Sequence, residues 1–219
     1  MRIVAISDTH TYHRKINIPF ADILIHCGDI SYRGELDVME DFINWLGELP
    51  HATKIVIGGN HDLTLDPFRL SNMYREKYTP ALLDMFKAKG INYLFEQELI
   101  IDGIKFFGTP FVPNLPQWSF CDKGENKFLK VPDDVNVLIT HGGPRGIRDW
   151  RKEHDNSLTH FGSDFLRDRV KELKDLKINC FGHCHDAAGI EEIDGVKYIN
   201  ASICDERYNP INPPIVIDI

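Results

Sequence analysis

The chain has no CxxC pair, no apolar run long enough to cross a bilayer, no repeat, no low-complexity tract and no linker. Its five cysteines, Cys27, Cys121, Cys180, Cys184 and Cys204, are odd in number and irregularly spaced, which argues against a disulfide framework or a zinc knuckle. Without a stretch of about 20 apolar residues, no membrane-crossing helix and no membrane partner are expected. Met1-Arg2-Ile3-Val4 enters an apolar run at once and leaves no room for a signal sequence, so a cytoplasmic location is the expectation. Basic residues are also in short supply: 33 Asp and Glu against 25 Lys and Arg give a net charge of -8. Such a balance provides no broad field for gripping long nucleic acid. No motif supplies an activated Ser or Cys nucleophile.

What is present suits one well-buried core. The 219 residues, 42% hydrophobic and 11% aromatic, predict a single domain over 1–219. Leu36, Met39, Ile43 and Leu46 fall on one face of a helix over 35–48, with acids opposite. A second helix is predicted over 80–89, opened by Pro80 and stopped by Gly90, and a third over 163–173. Asp102-Gly103 and Asp194-Gly195 each divide alternating apolar segments, the strongest short hairpin signal, and 215–219 reads as a closing strand.

Five short clusters carry the chemistry: Asp8-Thr9-His10, Gly28-Asp29, Gly59-Asn60-His61-Asp62, Thr140-His141-Gly142 and Gly182-His183-Cys184-His185. Each follows a short apolar run, at 3–6, 23–25, 55–57, 137–139 and 178–181, that reads as a buried strand. All candidate ligands would then sit at the carboxyl ends of strands, where open α/β sheets place their sites. Asp8 with His10, and His183 with His185, stand two apart, and in extended chain each pair could converge on one centre. With Asp29, Asn60 and His141 they make seven oxygen and nitrogen donors, a set suited to a close pair of divalent ions sharing one carboxylate.

In this order, DxH, GD, GNHD, His-Gly and GHxH resemble the motifs of the calcineurin-like metallophosphoesterases, and the match runs from residue 8 to residue 185. Four stretches are similar in particular to the small branch of metallophosphoesterase-domain-containing proteins. They are Ser7-Asp8-Thr9-His10, Leu24-Ile25-His26-Cys27-Gly28-Asp29, Gly108-Thr109-Pro110-Phe111-Val112-Pro113 and Leu138-Ile139-Thr140-His141-Gly142-Gly143-Pro144. The resemblance implies an α/β fold, a four-layer αββα sandwich with two mixed β-sheets flanked by helices. It also implies that Asp8, His10 and His185 hold a first metal, Asn60, His141 and His183 a second, and that Asp29 bridges them. No ligand position departs from that pattern. Mn is the first choice of metal, with Fe, Zn, Ni, Co and Mg open, because availability and geometry decide as much as affinity.

Two such ions can clamp phosphoryl oxygens and lower the pKa of bound water from about 15.7 toward about 7, which makes a hydroxide the expected nucleophile. His61, beside Asn60, is the candidate proton donor to the leaving alkoxide, with Asp62 orienting its ring. Arg33 lies four residues after Asp29, at a spacing that resembles the phosphate-gripping Arg of the phosphoprotein phosphatases. The acid that precedes that Arg there is Tyr32 here, so an exposed, solvated Arg is the competing reading. Phe111, Trp118 and Phe120, in an irregular stretch over 110–120, could wall a flat group or simply pack a loop.

His13, His51, His154 and His160 lie in polar stretches and read as surface residues, with His13 near enough to touch substrate. His26 reads as a satisfied core histidine and Cys184 as packing. The expected activity is hydrolysis of small phosphoesters, most readily phosphodiesters, with cyclic nucleotides among the candidates. A phosphomonoesterase or protein phosphatase is the first alternative, favoured by Arg33. A nuclease is opposed by the acidic balance, and a non-catalytic scaffold by the full ligand set. Oligomeric state is left open.

Overall fold

Runs of Ile and Val form strands because branching at Cβ suits a pleated, packed surface. In the computed structural model, which describes residues 1–68, 72–122 and 124–219 without the side chains of 72–77, four such runs lie parallel. They are β1 (Arg2–Ile6), β2 (Ile23–His26), β3 (Thr53–Val56) and β4 (Ile91–Tyr93). A second sheet is built from β5 (Gln97–Ile101), β6 (Ile104–Thr109) and β7 (Val137–Thr140). After a separate two-stranded ribbon of β8 (Trp150–Lys152) and β9 (Leu158–His160), it continues with β10 (Ile178–Phe181), β11 (Gly189–Ile193) and β12 (Val196–Asn200). The last strand, β13 (Ile215–Asp218), returns antiparallel to β1.

The sheet orders are β13-β1-β2-β3-β4 and β11-β12-β10-β7-β6-β5. Both are mixed: β6, β7, β10 and β12 run parallel, and β5 and β11 are antiparallel hairpin arms at the edges. The hairpin turns fall where expected. Asp102 (φ 49°) with Gly103 (φ 80°), and Asp194 (φ 51°) with Gly195 (φ 79°), take the left-handed pair that a two-residue turn between twisted strands requires.

Side chains alternate across each strand, and the two faces serve different layers. Ile3, Ile25 and Ile57 of the first sheet meet Phe106, Ile139 and Ile199 of the second in one buried cluster. Val4, Ile6, Leu24 and Val56 instead lie in the outer cluster with Met39, Phe42, Ile43 and Leu46 of α1 (Leu36–Glu48). On the far side, Leu138 and Phe181 share that outer core with Leu166 and Val170 of α3 (Asp164–Glu172). The result is the αββα sandwich. Ser163 caps α3 by accepting the Leu166 N–H at 3.2 Å.

Three expectations change. The helix predicted over 80–89 is α2 (Asn72–Ala88), and Pro80 lies inside it instead of opening it. The segment before Pro80 is polar in sequence and carries no helical apolar period to announce the earlier start. His13 and His51 are buried. His13 donates from Nε2 to Asp41 at 2.9 Å and packs against Phe42 and Trp45, and His51 donates to the Pro19 carbonyl at 3.0 Å. His154 is exposed, and His160 is half-buried against Asp149. Among the described residues no helix is long and apolar enough to cross a membrane, and all five cysteines are free.

Candidate metal centre

The five clusters begin at the carboxyl ends of β1, β2, β3, β7 and β10, and the two parallel sheet halves bring those ends together. Glycine makes the close approach possible. A Cβ at Gly182 would collide with the Asp8 carboxylate and the Ser7 hydroxyl, and one at Gly59 with the backbone and carboxylate of Asp29. Four candidate ligands hold left-handed backbones: Asp8 (φ 53°), His10 (φ 38°), Asp29 (φ 57°) and His183 (φ 68°). Each such residue costs about 1–3 kcal/mol, a strain that concentrates at functional sites.

Convergence therefore comes from left-handed turns and not from the alternation of an extended chain. It also separates His183 from His185. Asp8, His10 and His185 form one group whose ligand atoms lie within 4.8 Å of one another, and Asp29, His141 and His183 form another. Asn60 joins the second, with its Oδ1 2.8 Å from His141 Nε2. Asp29 Oδ2 stands 3.2 Å from His141 Nε2 and 3.9 Å from His10 Nε2, between the two groups.

Ring tautomers give a direct test of whether these residues fit a metal. His10, His141 and His185 each turn Nδ1 to a backbone carbonyl, of Ser31 at 3.1 Å, Cys27 at 2.8 Å and Asp205 at 2.8 Å. A carbonyl only accepts, so the hydrogen is on Nδ1 and a neutral ring presents a bare Nε2. His10 and His185 then face each other lone pair to lone pair at 3.3 Å, and His185 Nε2 lies 3.3 Å from Asp8 Oδ1. A positive charge at His185 Nε2 reconciles such contacts, either a metal ion or a proton; burial would lower that ring, but Asp8 raises it. Donors about 2.1 Å from one ion stand about 3.0–3.4 Å apart, and the His10–His185, His185–Asp8 and His141–Asp29 separations of 3.2–3.3 Å fall in that range.

Electrostatics agree. Asp8 and Asp29 are buried, and among the described residues their ion-pair partners are histidines, never Lys or Arg. Burial alone would raise both carboxyls. The neighbouring histidines, His185 above all for Asp8 and His141 for Asp29, hold both well below the usual carboxylate range. Burial lowers His10 and His183 to about 4, leaving them neutral, the form that ligates. Burial would also lower His141, but Asp29 outweighs it and raises the ring to about 9, so without another cation a proton takes that position.

The other candidates divide. His61 lines the cleft beside the ligands, with Nδ1 donating to the Tyr32 carbonyl at 2.8 Å and Nε2 3.9 Å from Asp29 Oδ2. Asp62 does not orient it. The Asp62 carboxylate is fully buried and accepts N–H groups from Ile30, Ser31 and Gly59 at 2.9–3.3 Å, tying the second cluster to the third. Burial, then the charge of Asp29, pushes its carboxyl up to about 7. Trp118 packs beside His61, with ring centroids 4.2 Å apart and the planes tilted by 37°, and faces the cleft. Phe111 and Phe120 belong to the core and do not line the metal cleft, although they border a neighbouring groove with Trp118. Arg33 is exposed and does not line the cleft; its guanidinium rests 5.5 Å over Trp118. His26 is a satisfied core residue, bonded to Thr9 Oγ1 and the Gly28 N–H.

Sequence reasoning missed Tyr208, whose ring lies 4.7 Å from His10 and 5.3 Å from His185, and Ser202, whose hydroxyl donates to Asp8 Oδ2 at 2.8 Å. A signal for Ser202 existed, because it closely follows β12, another parallel strand ending at the same edge. Tyr208 sits in an irregular loop folded around the Asp205 carboxylate and offered none. Arg151 of β8 and Phe161, the residue after β9, also line the cleft of about 260 Å³.

Known proteins place this geometry. The family model for calcineurin-like phosphoesterases matches residues 1–187. Human metallophosphoesterase domain-containing protein 1 is 34% identical over 100% of this chain and 71% of its own length. A UPF0046 protein of Caenorhabditis elegans is 31% identical over 100% of this chain and 81% of its own. The crystal structure of a phosphopantetheinyl hydrolase from Mycobacterium tuberculosis shares the fold, with a TM-score of 0.60 at 17% identity over 94% of this chain and 90% of that one. With its two ligand groups on the floor of the cleft, the chain belongs to the calcineurin-like phosphoesterase family, in the branch of the metallophosphoesterase domain-containing proteins.

Proposed function

We propose that the protein is a binuclear metal-dependent phosphodiesterase, with cyclic nucleotides among its candidate substrates. Family membership supports phosphoester hydrolysis, and the paired ligand groups support two ions. In this reading Asp8, His10 and His185 hold one ion, Asn60, His141 and His183 the other, and Asp29 is shared. The donors are nitrogen and oxygen without a thiolate, which suits Mn, Fe or Zn. Bound there, divalent ions supply the Lewis acidity that polarises phosphoryl oxygens and acidifies water.

The chain's own residues do the rest. The Tyr32 carbonyl holds His61 by Nδ1 and leaves Nε2 facing the cleft, where the cationic ring can hand a proton to a departing alkoxide. Trp118 offers a face for a base. The observation that carries the diester preference is the scarcity of cations at the cleft: Arg33 is exposed and outside its lining, and among the described residues Arg151 is the one Arg or Lys there. A scissile phosphate with one charge asks less of such a site than a monoester approaching two.

The test is catalytic efficiency of metal-reconstituted protein on matched nitrophenyl diester and monoester substrates. The diester should be preferred. A large monoester advantage would overturn the reading and restore Arg33 to a central role.

A further inference from the structure

The β8–β9 ribbon belongs to neither large sheet, yet it contributes Arg151, and the residue after it Phe161, to the metal cleft. Its placement is fixed at both ends. The buried Asp149 carboxylate accepts from His160 Nδ1 at 2.6 Å and from the Gly162 N–H at 2.9 Å. Asp186, beside His185, accepts the Lys152 N–H at 2.9 Å. The Arg151 guanidinium lies 5.3 Å over the Phe161 ring and donates to Glu153 at 2.8 Å. Among the described residues it is the one Arg or Lys lining the cleft. A second groove of about 580 Å³ adjoins that cleft and shares Arg151, Asp186 and Glu206 with it; Lys152, His154 and Arg207 lie farther along.

We infer that Arg151 is a binding site for a second phosphate, and that the substrate is an extended phosphodiester reaching from the metal cleft into this outer groove. A dinucleotide, or a nucleotide ester with a further phosphate, has that form. The inference rests on the phosphodiesterase reading for the scissile phosphate. A guanidinium matches two phosphate oxygens at once, and its contacts with Phe161 and Glu153 already hold it at the mouth of the cleft. Its pair with Glu153 is solvent-exposed and therefore weak, so a phosphate dianion can compete for it. Asp186 accepts the Lys152 amide and Glu206 lies 3.8 Å from Arg207; both carboxylates border the junction, where Arg151 is the cation shared by the two grooves.

The test uses metal-reconstituted full-length protein and calorimetric binding of thymidine 3′,5′-bisphosphate against thymidine 5′-monophosphate. The bisphosphate should bind about tenfold tighter, the scale of one charge-assisted phosphate contact. Arg151→Gln should bring that ratio to about one, and Glu153→Gln, which releases the guanidinium, should raise it. The same order should appear in catalytic efficiency on the 5′-nitrophenyl esters with and without the 3′-phosphate. Equal affinities in the unaltered protein, or a preference that survives Arg151→Gln, would overturn the inference. A preference that depends on Arg151 without ester hydrolysis would support the phosphate site and refute the phosphodiesterase reading alone.

Discussion

His61 Nδ1 donates to the Tyr32 carbonyl at 2.8 Å, which leaves Nε2 as the nitrogen facing the cleft and Asp29. A proton can leave from Nε2 only when the ring is cationic. General acid help is worth about 10²–10⁴ in rate and matters most for a basic leaving group. His61→Gln should therefore slow alkyl diesters by about 100-fold or more and nitrophenyl diesters by less than about tenfold, at unchanged metal content. Steady-state rates on the two series decide it; equal losses would assign His61 to positioning.

Asp29 stands between the two ligand groups, near His141 and His10 alike. Replacing it with Ala should lower occupancy of both metal positions, whereas His10→Ala should mainly weaken the one it shares with Asp8 and His185. Elemental analysis of the purified variants checks this. Full retention of both ions in Asp29→Ala would remove the bridging assignment.

Ser202 fixes one oxygen of Asp8 and leaves the other beside His185. Losing an outer partner of this kind typically costs about 10–100-fold in metal affinity. Ser202→Ala should show that loss for the first ion and little change for the second, measured by chelator competition. Unchanged affinity at both would mean the hydroxyl is incidental.

Much of this site was legible because parallel strands buried on both faces are written as short apolar runs, and the residue after each run must emerge at the sheet edge. Asp8, Asp29, Asn60, His141 and His183 could be placed that way. Residues whose position depends on tertiary packing could not. Asp62 looks like a partner for its neighbour His61, yet its carboxylate turns inward to three backbone amides. His13 sits in a polar stretch but is covered by Phe42 and Trp45 of α1. Phe111 and Phe120 are drawn into the core because their loop folds back on the sheets, and only Trp118 of that trio reaches the cleft. Tyr208 and Arg151 arrive from segments that carry no motif.

His26 gives the fold an acid weakness. Burial lowers its ring to about 3 from an ordinary 6.5, so the unfolded chain takes up a proton that the folded chain refuses. Stability should fall as pH drops below 6.5 and continue falling until about 3, by about 1.4 kcal/mol per pH unit from this group. Urea unfolding of metal-free protein between pH 6.5 and 4.5 should be less pH-dependent in His26→Gln, even if that variant starts less stable. An identical slope would show that His26 titrates normally.

The central claim is that two ions act together on a phosphoester. Stepwise addition of Mn to metal-stripped protein, with bound ions and diester hydrolysis recorded together, tests it most directly. Hydrolysis should stay near background while the first ion binds, rise as the second enters and level off at two ions per chain. Full activity in the stripped protein, or a plateau after one ion, would contradict the account.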